Sequence, residues 1–414
     1  MANEGVATRR GGLLRTKDFR RLWLADALSQ VGSRIDLLAI PLLATTVLSA
    51  SVFEVSLLKT LATLPYLVLG LQVGAWCDRI RQRPVLVAAD LGRVVLIGSI
   101  PFAAVAHLLT LWHLFAVVLL AGVFGVLFDV AHQTYLPHLV ARADLPEANA
   151  RLQTNASVAA VAGPSLAGLV IEYLGYAGAM AADAASYLWS ALWLRRIETP
   201  DVPGERSGRH LRHEIAEGLK AVLDDPILRA ITVHGAVSSL FQSMFTAINV
   251  VFLSRELGLS PVAIGLLSTV SLTGALLASA IARPLGQKAG AARALTAAAV
   301  VYGGSFLLNG FTTPGWGLSW YVGGGFAAGF GIILMNVYAV SFRQAVAPRR
   351  LLGRVTSVST TLLRGMVALG SLAGGVLAEV TSLRTTLFVV GVGLTLSTGI
   401  LLASPLRKLR DLPD

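Results

Sequence analysis

The sequence predicts an all-α membrane protein whose twelve transmembrane helices form two pseudo-symmetric six-helix bundles. Three observations carry this expectation. The 414 residues are 55% hydrophobic and only 14% charged, whereas soluble domains carry about 25% charged residues. The apolar residues gather into runs able to cross a hydrocarbon core of about 30 Å, which takes roughly 20 helical residues. Finally, the basic residues cluster in alternate connections between those runs. Lipid offers no hydrogen-bond partners, so each run must close its backbone bonds internally as a helix.

The expected spans are 22–47, 53–76, 84–106, 112–135, 153–174 and 178–196, then 228–253, 260–282, 292–311, 316–342, 354–379 and 384–404. They define an N-terminal bundle (1–196), a linker (197–227) and a C-terminal bundle (228–414). Inside the linker, Leu211 to Leu223 reads as a short amphipathic helix ended by Asp225-Pro226, because a residue before proline avoids the helical region. The N-terminal run is too long for a signal-peptide core and is followed by further spans, so it reads as an uncleaved first helix.

The basic residues set the expected orientation. Loops on the side of the N-terminus hold all the Lys and Arg except Arg255 and Arg384, on the other side, and Arg34, Lys59, Arg93 and Arg364, within spans. Both termini are therefore expected in the cytoplasm, and the protein in a bacterial plasma membrane. The net charge of +11 is explained by these loops, and no nucleic-acid partner is expected. Cys77 is the only cysteine, which excludes an intrachain disulfide and a cysteine metal cluster. No metal and no cofactor are expected, and no enzyme activity.

Within the spans, polar residues fall into stripes. At about 100° per residue, Asp26, Ser29, Gln30, Ser33, Arg34 and Asp36 share one side of span 1, while Leu24, Leu28, Val31, Ile35, Leu38 and Leu42 take the other. A charge at mid-membrane costs at least ~2.5–3.5 kcal/mol on insertion scales. Arg34 and Asp36, the two deepest charges on this arc, point to a water-filled cavity or a buried network. Ser238, Gln242, Thr246 and Asn249 form a neutral stripe in span 7, and Ser357, Thr360, Arg364 and Ser371 another in span 11. Stripes drawn from both halves predict a solute path between them, lined by Gln30, Ser33, Arg34, Asp36, Gln242, Thr246, Asn249 and Arg364. Interhelical hydrogen bonding is the alternative reading of the same stripes. Lys59, early in span 2, is expected to snorkel outward, and Asp90 and Arg93 to pair on one face of span 3. Asp183 is either a lumen acid or an interhelical contact.

Several enzyme signatures are missing. There is no phosphate-binding GxxxxGK[ST] loop, and His213-Glu214-Ile215-Ala216-Glu217 lacks the second histidine of a zinc-protease helix. Asn155-Ala156-Ser157 is a glycosylation sequon only in form, since it lies at the cytoplasmic start of span 5.

The loop after span 2 reads Gly74-Ala75-Trp76-Cys77-Asp78-Arg79-Ile80-Arg81-Gln82-Arg83. It resembles the GxLaDRxGRR signature of the major facilitator superfamily, with Gly74, Asp78, Arg79 and Arg83 matching and Arg81 in place of the second glycine. Phe19-Arg20-Arg21-Leu22-Trp23, Leu136-Pro137 to Asn149, Gly163-Pro164, Asp225-Pro226 and Gly353-Arg354-Val355 are similar to the macrolide-efflux and siderophore-exporter branch of that superfamily. The resemblance implies a major facilitator fold and a cytoplasmic latch of Gly74, Asp78, Arg79 and Arg83, with Asp129 as the acid on span 4. It also implies that Gly163, Pro164 and Gly168 form a close-packing motif typical of antiporters. The expected activity is proton-coupled export of a small amphipathic compound such as an antibiotic, drug or siderophore-like metabolite, by a monomer. Asp36 is the first choice of proton carrier. Import of a nutrient, or a non-transporting sensor or assembly role, are the alternatives.

Overall fold

The computed structural model describes residues 13–77, 80–141, 144–199, 211–348 and 351–411. Among them there is no strand. The helices are α1 (Lys17–Thr46), α2 (Val52–Cys77), α3 (Gln82–Val105), α4 (Leu111–Leu139), α5 (Leu145–Arg195), α6 (Leu211–Asp224), α7 (Pro226–Val251), α8 (Pro261–Ala289), α9 (Ala291–Asn309), α10 (Leu318–Val346), α11 (Leu352–Val380) and α12 (Leu383–Leu402). All but α6 are long and apolar enough to cross a membrane.

The 51 residues of α5 are far more than one crossing needs. They are broken at Gly175, whose φ of 68° and ψ of 178° suit only a residue without Cβ. The two limbs on either side of Gly175 are the fifth and sixth crossings of the first half. With α7–α12 supplying six more, the expected six-plus-six arrangement is present.

Local chemistry fixes the helix starts. The Asp225 carboxylate accepts from Ile227 N at 2.8 Å and Leu228 N at 2.9 Å, with Pro226 at the first helical position, where its missing N–H goes unmissed. Ser260 and Pro261 start α8 in the same manner. Thr110 caps α4 and Ser382 caps α12. Two connections depart from expectation, the first being the one before α5, which begins at Leu145 rather than near 153. Arg283 to Lys288, read as the loop after span 8, lies inside α8, which continues to Ala289. Pro284 does not stop it, because neighbouring membrane helices can hold a proline-containing helix together.

The halves touch chiefly along two helix pairs, α2 with α11 and α5 with α8. Both seams are built on glycine. A Cβ on Gly265 would strike the Pro164 carbonyl, and one on Gly168 would lie 2.5 Å from Pro261 O and 3.0 Å from Val262 Cα. Gly375 likewise leaves room for Ser56 and Phe53. Small residues permit this backbone-to-backbone approach in lipid. Ser165 and Thr269 hydrogen-bond across the α5–α8 seam at 2.7 Å.

The apolar cores are unequal along the membrane normal. At the end remote from the chain termini, one core joins both halves and includes Leu38, Leu42, Val55, Leu58, Ile248, Phe252 and Ile264. Arg255 strengthens that end by donating to Thr45 O at 3.2 Å and Ala50 O at 2.6 Å. Nearer the termini the cores separate. Phe19, Leu22, Leu86, Tyr135 and Leu194 pack in the first half, and Val222, Leu228, Val355 and Val358 in the second.

Candidate functional site

A cavity of about 670 Å³ lies among α1, α2, α3, α4, the second limb of α5 and α7. Its apolar wall includes Leu37, Ile40, Val55, Leu58, Ile97 and Val118; its polar wall holds Ser33, Asp36, Lys59, Tyr66, Arg93, Asp129 and Tyr187. The far wall, Thr246, Ala247 and Asn249, comes from the second half. Asp36 sits ten residues before the end of α1, or about 15 Å at 1.5 Å per residue, which is mid-bilayer depth.

The acids are tied into short chains. The carboxyls of Asp36 and Asp183 of α5 lie within interaction range of each other, and Asp36 Oδ1 and Asp183 Oδ2 are both buried with no hydrogen-bond partner. A proton held by either acid would let the two pair. Ser186 donates to Asp183 Oδ1 at 3.3 Å, and Gly32 of α1 leaves the space this acid occupies, since a Cβ there would meet both Ser186 and Asp183. One residue along α1, Ser33 Oγ lies 3.2 Å from Tyr187 Oη.

Above Tyr187 sits Arg93. Its guanidinium lies 4.9 Å from the Tyr187 ring centroid and 4.6 Å from that of Phe128, donates to Phe124 O at 3.3 Å and stands 3.8 Å from Asp90. Two aromatic faces and a carboxylate compensate the buried cation. On the opposite wall Tyr66 donates to Asp129 at 2.9 Å, and Arg364 of α11 lies 5.2 Å over the Tyr66 ring.

Lys59 donates to Thr246 across the seam and has no ion pair among the described residues. It does not snorkel outward as expected. The cavity gives its ammonium a polar outlet at depth, so it need not climb to the surface. Beside it, Asn249 donates to Tyr321 Oη at 2.9 Å.

The structure divides the expected pathway residues. Ser33, Asp36, Thr246 and Asn249 line the cavity. Gln30 instead donates to Asp26 at 3.3 Å, where Asn155 also donates at 2.9 Å, so that part of the stripe joins α1 to α5. Arg34 lays its stem against Gly163, where a Cβ would come 2.5 Å from Arg34 Cγ. Gln242 is not on the wall, and Arg364 reaches it only through Tyr66. In α7 and α11 much of the neutral stripe is spent on packing, with Ser243 2.6 Å from Ser371 and Ser238 3.4 Å from Ser397.

Asp78 and Arg79 lie outside the described residues, and Gly74 is part of α2. Arg83 donates to Leu194 O at 3.2 Å and to Arg195 O, holding the end of α5. Asp129 faces the cavity, because it lies ten residues before the end of α4, about 15 Å too deep for a surface loop. In the close-packing motif, Gly163 admits Arg34, while Pro164 and Gly168 meet α8.

The sequence did not single out Tyr66 and Tyr187, and left the role of Asp183 open. A phenol in a span carries no pattern of its own. Mid-span position, shared by Asp36, Asp90, Asp129 and Asp183, was the one available signal. Among the described residues no cluster of three His, Cys, Asp or Glu could hold a metal.

The family described as "Transmembrane secretion effector" matches residues 12–413. The multidrug efflux pump Tap of Mycolicibacterium fortuitum is 26% identical over 436 aligned residues, covering 98% of each chain. An uncharacterised MFS-type transporter of Bacillus subtilis, YfiS, is 24% identical over 378 residues, covering 88% of this chain and 87% of its own. Among solved structures, a bacterial homologue of the iron transporter ferroportin in an inward-facing state superposes with a TM-score of 0.74 at 16% identity, covering 95% of this chain and 99% of that one.

Proposed function

The chain belongs to the transmembrane secretion effector family of major facilitator transporters, and from that premise we propose that it exports a small amphipathic compound in exchange for protons. The observation that carries this reading is the Asp36–Asp183 pair, bordering a cavity whose far wall belongs to the other half. A proton site and a solute site that share a wall can communicate.

Alternating access supplies the mechanism. The halves share a core only at the end remote from the termini. With the basic loops in the cytoplasm, that geometry is an inward-facing state, ready to load from inside the cell. Solute entering beside Asp36 contacts the apolar wall and the Asp36 carboxyl. It draws that carboxyl away from Asp183, and the shared proton leaves to the cytoplasm. The halves then rock, solute leaves outside, and a proton from the outer side re-forms the pair. The balance is one proton inward per cycle and one solute outward. Coupling arises because solute and proton favour different states of the pair, and a ligand shifts an equilibrium only through such a difference. The mixed wall suits a molecule with an apolar body and a polar edge. The Tap relative is a multidrug efflux pump, which fits export.

The test is efflux of a panel of amphipathic compounds from vesicles containing the purified protein, driven by an imposed pH gradient. Asp36→Asn should abolish acceleration by the gradient while downhill exchange of the same compound persists. Gradient-driven efflux at the wild-type rate in Asp36→Asn would remove this residue from coupling. Accumulation against the predicted direction would instead make the protein an importer.

A further inference from the structure

Outside the transport cavity, a second hollow of about 640 Å³ lies between the start of α3 and the end of α5. We propose that it binds the headgroup of an anionic phospholipid, with one acyl chain running along the groove toward the bilayer centre.

Charge is the first reason. Arg81 and Arg195 both line the hollow and are exposed, and their guanidinium groups have no hydrogen bond or ion pair among the described residues. Arg83 forms the floor. It is committed to the Leu194 and Arg195 carbonyls, two of the acceptors that a helix end leaves without intrahelical partners. That clamp holds Arg195 opposite Arg81. The carboxylate on the wall, Glu198, already pairs with Arg21 at 3.0 Å. The hollow therefore presents two uncommitted guanidinium groups, which suit phosphate oxygens.

Placement is the second reason. The cationic rim sits where two membrane helices reach the surface. Immediately deeper the wall turns apolar, with Val87, Leu91 and Leu192. Leu91 is 44% exposed and Leu192 49%, and Val95, one turn beyond Leu91, is 71% exposed. A soluble anion would use the rim and ignore the wall. A phosphodiester attached to hydrocarbon uses both, and basic hollows between spans at the cytoplasmic face suit acidic lipid headgroups. This inference does not depend on the transport reading.

The experiment uses the full chain in nanodiscs of phosphatidylcholine with increasing phosphatidylglycerol. Native mass spectrometry counts retained lipid, and thermal unfolding follows stabilisation. Wild type should retain one phosphatidylglycerol and unfold at higher temperature as that lipid is added. The Arg81→Gln/Arg195→Gln double variant should bind it at least tenfold more weakly. Arg407→Gln/Lys408→Gln, with the same change in charge elsewhere, should match wild type. Leu91→Asn keeps every charge and should still weaken retention, which separates a lipid site from a simple cationic patch. Equal loss in the Arg407/Lys408 control, wild-type retention in the Arg81/Arg195 variant, or equally strong binding of soluble glycerol 3-phosphate would each overturn the proposal.

Discussion

The two six-helix halves share a shape and differ in what they bury. In the first half Asp26, Asp90, Arg93 and Asp183 are buried, and Asp36, Lys59 and Asp129 face the cavity. The second half buries Thr232, His234, Ser238, Ser243, Ser305, Asn309, Ser359 and Ser371, all but the histidine permanently neutral. Hydroxyl pairs hold that half together, such as Thr232 with Ser359 at 3.1 Å. Interhelical bonds of this kind are worth about 0.6 kcal/mol on average. The difference teaches that this bundle shape does not require ions. The second half builds it with no acid buried among its described helices, so the acids bordering the cavity in the first half, Asp36 and Asp129, are kept at mid-membrane expense for chemistry more than for architecture.

Arg93 is the sharpest place to break this contrast. Arg93→Met leaves Asp90 buried without its cation, and removing one partner of a buried pair typically destabilises by about 3–5 kcal/mol. Thermal unfolding in detergent should show that loss, whereas Ser243→Ala in the second half should lose about 0.6 kcal/mol. Equal losses would erase the distinction between an ionic and a neutral half.

Next in size is Asn249, the cavity residue of the second half that donates to Tyr321. Asn249→Leu removes one neutral hydrogen bond, worth about 1 kcal/mol. Thermal unfolding should show a loss of about that size, with the dependence of efflux on the pH gradient unchanged. A changed gradient dependence would place part of the coupling in the second half. Smallest is Ser238→Ala, which loses the long contact to Ser397. Its stability and transport rate should stay within about 0.5 kcal/mol of wild type.

Hydropathy and proline-glycine punctuation made the fold legible. Length alone placed most span ends near the observed helices, and Asp225-Pro226 marked the end of the linker helix, which stops at Asp224. The α8 extension was missed because the apolar run ends before Arg283 and Lys288, and hydropathy does not tell a helix that continues beyond the bilayer from a loop. The site was only half legible. Helical periodicity located the α1 stripe but could not divide it. Gln30 and Arg34 turn toward α5, while Ser33 and Asp36 turn toward the cavity, and only the packing angle of α1 decides which. Asp129 drew a role from the neighbouring signature loop, whereas its depth in α4 sets its role. Lys59 was misread for a related reason, since its partner Thr246 lies 187 residues away and no local pattern links them.

The glycines of the α5–α8 seam have a mechanical consequence. Gly168 and Gly265 let two backbones meet without interlocked side chains, so the joint resembles a bearing more than a zipper. A zipper must unmesh many teeth before it moves. At this joint the halves can roll over smooth ridges, with Ser165–Thr269 as its one side-chain hydrogen bond among the described residues, and the same surface can serve as fulcrum on both strokes of the cycle.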